Sequence, residues 1–275
     1  MALPPLHICH SQPVSECRMS PRTLPPHSQG AKHKSPPGFT LIELSIVLVI
    51  IGLIVGGILV GNDLIEAAKL RKTVTEVTNI KTAINTFRLK YNCLPGDCST
   101  AANFFGSSCA SGVATNCNGN NDSQIIWWSG NLWKAEALHA WEHLALSGLI
   151  VGSYSAVYPS NSLHVVGTQL PPAALVPGGY GLFYYDPSAL LGFNNYISLG
   201  IPFTGAYNMG AVATALQSHQ IDSKIDDGKP QTGRMLGQDG FIADFPTYLS
   251  ETCISGNEYD FANEAISCTL SFAME

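Results

Sequence analysis

Charge is scarce in this sequence. Asp, Glu, Lys and Arg make up 12% of its 275 residues, and Lys plus Arg number 14 against 20 Asp plus Glu. A net charge of −6 offers no electrostatic footprint for a phosphate backbone, so no nucleic-acid partner is expected. Other absences narrow the field further. No G-x-S-x-G elbow occurs, which removes the usual foothold for a nucleophilic serine. No Gly-rich loop is placed to cradle phosphates. No internal repeat marks a solenoid or propeller. Between residues 39 and 91 there is no Pro, so nothing there forces a helix to end.

What the chain has instead is one long apolar block. Residues 39 to 60 carry a single charge, Glu43, and as helix they would span ~33 Å, enough for a hydrocarbon core of ~30 Å. Ahead of it, residues 1–38 are rich in Pro, Ser and His and have no helical or strand period. They hold Arg18, Arg22, Lys32 and Lys34 against Glu16, a balance of +3. The rest keeps 10 basic and 19 acidic residues, a balance of −9. Met19 offers an internal start that would keep Arg22, Lys32 and Lys34. Lys69, Arg71 and Lys72 follow the block, so basic residues lean only weakly toward a cytoplasmic leader.

The junction reads Gly38-Phe39-Thr40-Leu41-Ile42-Glu43-Leu44. A small residue, an aromatic one, and a glutamate four positions later, joined directly to a spanning helix and preceded by Lys32 and Lys34, resemble the prepilin peptidase site of type IV pilins and type II secretion pseudopilins. The resemblance implies cleavage between Gly38 and Phe39 and N-methylation of Phe39. A carboxylate at mid-bilayer costs ~2.5–3.5 kcal/mol and so needs a reason. In the resembled family the partner of this glutamate is the new N-terminal amine of a neighbouring subunit, and Glu43 would then serve assembly. The rival account is an interfacial Glu in an ordinary signal anchor. Gly52 with Gly56, and Gly57 with Gly61, are small-xxx-small pairs that let helices approach closely.

Periodicity continues past the block. Leu70, Val74, Val77, Ile80, Ile84, Phe87 and Tyr91 form one apolar stripe, which predicts a single helix of about 53 residues, ~80 Å long, ending at the turn of Pro95 and Gly96. LPGD, FFG and the Asn/Gly-rich loop after them also resemble pilin-like proteins with an N-terminal cleavage and methylation domain, over residues 38–106 and more loosely over parts of 116–240. A second helix is expected over Asn131–Gly148, capped by Ser129 or Asn131, with Leu138, Trp141, Ala145 and Leu149 as its apolar face. Strands are expected over Leu149–Tyr158, Gly181–Tyr185 and Tyr196–Ile201, and a short helix over Ala211–Ile225.

Six cysteines follow the block: Cys93, Cys98, Cys109, Cys117, Cys253 and Cys268. An even number in an exported segment suggests disulfides, and loop closure favours Cys93–Cys98, Cys109–Cys117 and Cys253–Cys268 among the possible pairings. The last also resembles the closed C-terminal segment of type IV pilins; the extra pairs depart from that pattern. Asn116, Asn118, Asn120 and Asp122 alternate oxygen side chains as a calcium loop does, although Asp122 is the lone carboxylate and a Gly/Asn turn closed by Cys109–Cys117 accounts for them better. Asp222, Asp226 and Asp227 make a second oxygen cluster that turn chemistry also explains. His139-Ala140-Trp141-Glu142-His143 has the H-x-x-E-H form of a zinc hydrolase, without a distal ligand; in helix phase Trp141 faces the core and the histidines its border. Trp127, Trp128 and Trp133 are expected in the core more than as a sticky surface.

The expected fold is α+β and pilin-like: a leader (1–38), a transmembrane or filament-core helix (39–60), its amphipathic continuation (61–92), and a globular head (93–275) with a small antiparallel sheet and disulfide-closed loops. The resemblance implies a structural subunit rather than an enzyme; no cofactor is expected, the Asn116–Asp122 spacing offering Ca2+ as the one alternative. Removing 38 of the 275 residues would leave 237, which fits a minor pilin or pseudopilin better than a major pilin. It implies as partners the prepilin peptidase, an inner-membrane assembly platform, membrane lipid and other pilin or pseudopilin subunits. The location implied is a bacterial inner membrane, single-pass with a cytoplasmic N-terminus and periplasmic head, and then the filament. Two alternatives stand beside it: an exported, membrane-anchored enzyme with zinc at His139, Glu142 and His143, and a pilin-like adhesin or DNA-uptake factor.

Overall fold

A computed structural model describes residues 38–109, 117–126, 136–157, 164–185, 194–202, 208–240 and 252–274. All of the expected leader except Gly38 lies outside the described residues, as do Asn116, Ser129, Asn131 and the tryptophans at 127, 128 and 133. The chain divides into two compact units, Met1–Leu53 and Ile54–Glu275.

Helix α1 runs Leu41–Tyr91, 51 residues. It begins where Thr40 and Glu43 exchange capping bonds and ends where Asn92 turns to φ 56, ahead of Pro95. In the first unit every described residue is exposed. Among the described residues α1 is the one helix long and apolar enough to cross a membrane. Within the second unit, α1 changes character at Leu70. Leu70, Thr73, Val77, Ile80, Ala83, Ile84 and Phe87 are buried, the spacing of one helix face. On the other side Thr75, Thr78, Thr82 and Thr86 are exposed, and each hydroxyl donates to the carbonyl four residues earlier, at 2.7–3.1 Å.

Four strands make the main sheet: β1 (Gly179–Tyr185), β2 (Asn194–Gly200), β3 (Met235–Asp239) and, after the short hairpin of β4 (Ile254–Ser255) and β5 (Glu258–Tyr259), β6 (Cys268–Ala273). The spatial order is β1-β2-β6-β3, antiparallel throughout, with Leu182 opposite Ile197 and Ile197 opposite Phe272. Period-2 alternation puts Tyr180, Leu182, Ile197, Leu199, Leu270 and Phe272 on one face, and all six join the core cluster that contains Phe87, Ile84 and Val77. Glu76 of α1 reaches β1 directly: its Oε2 accepts from Tyr180 Oη and from the Ala174 amide, both at 2.9 Å. Burial, then the charge of Glu76, pushes the Tyr180 phenol far up.

Helix α2 (Ala101–Phe105) and a 3-10 turn (Gly106–Cys109) precede α3 (Glu136–Leu146), in which Glu136 to Leu144 are all buried. Helix α4 (Ala215–Ile225) opens with a reciprocal capping box between Thr214 and Gln217. Three disulfides close short loops: Cys93–Cys98, Cys109–Cys117 and Cys253–Cys268, with Cα separations of 5.1, 5.7 and 4.9 Å.

Several expectations shift in detail. The strand expected at Leu149–Tyr158 is not formed over its described residues. Leu149 N–H closes on Leu144 C=O as a helix end, and Gly152 at φ 113 breaks the extended run. The helix expected from Ala211 starts four residues later, because Thr214 caps it and Ala213 pairs with Cys268. The described part of the second helix starts at Glu136 and stops before Gly148, at φ 72. Strands β3 and β6 and helix α2 were not foreseen.

Phe87 is fully buried and stacks near Tyr91, Phe105 and His143, with ring centroids at 4.5, 6.3 and 6.0 Å. Phe87→Ala should therefore destabilise the second unit by about 3–5 kcal/mol, read from the chemical-denaturation midpoint; a change under about 1 kcal/mol would contradict this packing.

Candidate functional site

The first candidate is the start of α1. Glu43 Oε2 accepts from the amide and the hydroxyl of Thr40, both at 2.8 Å, and Thr40 Oγ1 accepts the Glu43 amide at 3.3 Å. This is a capping box, whose S/T-x-x-E spacing is legible in Thr40-Leu41-Ile42-Glu43. Gly38 and Phe39 precede it, exposed and outside regular structure. The segment thus presents an accessible backbone just before an ordered helix end, with a carboxylate held one turn in.

A second group gathers at the turn that ends α1. Gly96 stands at φ 82, where a Cβ would overlap the Glu136 carbonyl, so only Gly lets the turn lie on α3. Its amide donates to His143 Nδ1 at 2.9 Å. Asp97, 1% exposed, accepts the amides of Asp122 and Ser123 at 3.1 and 2.9 Å. Glu136 accepts those of Asn120 and Ile126 at 3.3 and 3.0 Å. One oxygen each of Asp97, Asp122 and Glu136 lies within 4.8 Å of the others. Burial, with Asp97 and Asp122 beside it, pushes Glu136 up to about 7 against the pull of the two amides. Asp97 is raised by burial too.

Asn116 lies outside the described residues, and the described oxygens of the calcium-loop alternative hold backbone amides. Asn118 Oδ1 accepts the Ala102 amide in the first turn of α2. Asn120 Oδ1 accepts the Asp122 amide, and Asp122 Oδ1 accepts that of Gln124, both Asx turns. Asp122 alone of the described members joins a carboxylate group, and its companions Asp97 and Glu136 come from distant sequence.

The zinc-like triplet is buried rather than bordering the core. His139 is 6%, Glu142 3% and His143 0% exposed. His139 Nδ1 donates to Glu142 Oε2 at 3.0 Å, while His143 has given Nδ1 to Gly96. His143 does lie near Cys109 and Cys117, but both sulfurs are in a disulfide, so neither can supply a thiolate ligand. A cleft of about 720 Å³ opens nearby, lined by Glu76, Ile80, Trp141, Leu149, Pro172 and Tyr180 among others. Glu76, its carboxylate, is bound to Tyr180 and Ala174.

A third group sits between α4 and β3. Asp222, Asp226 and Asp227 bring one oxygen each within 4.8 Å of the others. Tyr259 Oη, from β5, donates to Asp222 Oδ2 at 2.8 Å. Lys81 of α1 lies within electrostatic reach of both Arg234 and Asp226; burial, then the Arg234 charge, lowers its pKa, and Asp226 acts the other way. Spacing alone had suggested this cluster; the contributions of Tyr259 and Lys81 carry no signal in the sequence.

No family model, curated protein or solved structure matches this chain.

His143 yields a direct check. Burial, then the nearby His139, lowers its pKa from 6.5 to about 3. The unfolded chain takes up that proton near 6.5 and the folded chain only near 3, so this group's contribution to stability is intact above 6.5 and is lost as pH falls below it. Nitrogen-15 spectra should show Nδ1 as an unprotonated acceptor and Nε2 as the N–H from pH 8 down to about 4. Protonation at an ordinary 6.5 would contradict the buried Gly96 contact.

Proposed function

We propose that this protein is a filament subunit of the pilin and pseudopilin kind, cut between Gly38 and Phe39 by a prepilin peptidase and anchored by α1 in a bacterial inner membrane before assembly. One observation carries the reading: the exposed, uninterrupted apolar part of α1 starts within three residues of Gly38-Phe39 and holds a single acid, Glu43. An apolar helix with no protein cover needs lipid or other helices around it, and a filament core supplies the second. An oxidised head with three disulfides suits a periplasmic or external site. The α+β layout, a long N-terminal helix with a small antiparallel sheet, suits the same reading. The subunit's work is structural: the peptidase and assembly platform act on it, and the amine freed at Phe39 pairs with Glu43 of a neighbour.

The test is mass spectrometry of the mature N-terminus in cells with and without the peptidase. Phe39, methylated, should be the first residue only where the peptidase is present; an intact Gly38–Phe39 bond in peptidase-positive cells defeats the proposal.

The Thr40–Glu43 capping box supports a second reading, an ordinary membrane anchor in which Glu43 merely ends the helix. Two substitutions separate them. Gln at this position of a capping box can still reach back to the Thr40 amide, whereas Ala cannot. If Glu43 pairs with an amine, Glu43→Ala and Glu43→Gln should both leave cleavage intact and lower filament incorporation alike. Rescue by Glu43→Gln would assign it to capping alone.

A further inference from the structure

The chain sorts its charge by region. Residues 61–91 hold six Lys and Arg against three Asp and Glu, a balance of +3. Residues 92–275 hold four against fifteen, a balance of −11, and the stretch 235–275 has seven acids with no Lys or Arg. Heads of one sign repel when copies pack side by side, so a filament of this chain needs positive surface between them.

One exposed surface is basic. Leu64, Ile65, Ala68, Arg71 and Lys72 follow at i, i+1, i+4, i+7 and i+8 on α1, the spacing of a single helix face, and all five are exposed. Leu64 and Ile65 are 66% and 57% exposed. The buried stripe that begins at Leu70 lies on the other side of the helix. Among the described residues Arg71 forms no ion pair, and Lys72 forms only an exposed one, to Glu76 at 3.7 Å.

A second exposed surface is acidic. The β4–β5 hairpin and the turn after it, closed by Cys253–Cys268, carry Glu258, Asp260 and Glu264. Beside them Phe261 and Ile266 are 54% and 58% exposed. The loop is held in shape from within: Asp260 accepts the Thr252 hydroxyl at 2.9 Å and the Ala262 amide at 3.1 Å, and Asn263 donates to the Thr252 carbonyl at 2.8 Å. Glu258 and Glu264 are exposed and form no ion pair among the described residues. Each surface thus joins two exposed large apolar side chains to charge of one sign, and the signs are opposite. Both are open in the same chain, so they do not cover one another within it.

We propose that the loop at 252–266 of one copy docks on the Leu64–Lys72 face of a second copy. The contact joins unlike surfaces, so every copy added leaves one of each free, and repetition builds an open chain rather than a closed pair. This rests on the filament reading and gives it a head-to-helix contact besides the one at Glu43.

The experiment is sedimentation of the full chain in non-ionic detergent. The unsubstituted chain should self-associate at about 0.1 mM and low salt, and less so as salt shortens the screening length from ~10 Å at about 0.1 M to ~3 Å at about 1 M. Arg71→Glu with Lys72→Glu, and separately Glu258→Lys with Glu264→Lys, should each weaken association about ten-fold or more. Mixing the two variants should restore it, since each then meets opposite charge at both contacts. Both should still be cut at Gly38–Phe39 in peptidase-positive cells, which separates a failed contact from failed processing. No association by the unsubstituted chain, no loss in the variants, or no restoration on mixing folded variants overturns the proposal. Self-association that survives the α1 substitutions while binding to phosphatidylglycerol vesicles is lost assigns the face to lipid and overturns it too. Should a reversed chain fail to fold, Arg71→Gln with Lys72→Gln decides: unchanged association sinks the contact.

Discussion

Apolar side chains without protein around them impose the governing constraint on this molecule. From Leu41 to Val60 the large hydrophobic residues are each at least half exposed, from Ile50 at 50% to Leu41 at 88%. At about 25 cal/mol per Å², leaving such a stretch in water costs on the order of 20 kcal/mol, more than the ~5–15 kcal/mol that holds a typical domain folded. The helix therefore needs an apolar medium. The proposed route from membrane to filament exchanges one such medium for another, which makes the second step possible without passing through water.

The second unit follows a different rule. Several of its buried polar side chains hold backbone groups. Asp97 and Glu136 hold amides of the loop at 117–126, His143 holds Gly96, and Glu76 holds Ala174. These contacts join segments from 10 to 98 residues apart, so the loops are fixed by specific hydrogen bonds rather than by regular structure. The short disulfides act alongside them, limiting the unfolded chain near the same turns.

What could be read in advance depended on whether the signal was local. The α1 stripe was legible because Leu70, Val77, Ile80, Ile84 and Phe87 repeat at helical spacing over many turns. Near-neighbour cysteines were legible because a short loop closes easily. Strand β6 was not, although its six residues are all buried. CTLSFA carries Thr and Ser on one face, and nothing local says that Ser271 will lie opposite Ser198 in mid-sheet. The sites failed for the same reason. Asp97 and Glu136 are 39 residues apart with no motif between them, and the pairing of Asp222 with Tyr259 spans 37 residues. Thr40 and Glu43 differ, since their S/T-x-x-E capping pattern is wholly local.

The threonines on the outer side of α1 have one more implication. Thr78, Thr82 and Thr86 keep their hydroxyls turned inward onto their own helix, so what they offer outward is chiefly methyl. Toward any approaching surface they behave like a row of valines that water nevertheless tolerates. A neighbour could settle there with almost no dehydration penalty and leave again as easily, a property suited to contacts that must slide or re-form rather than lock.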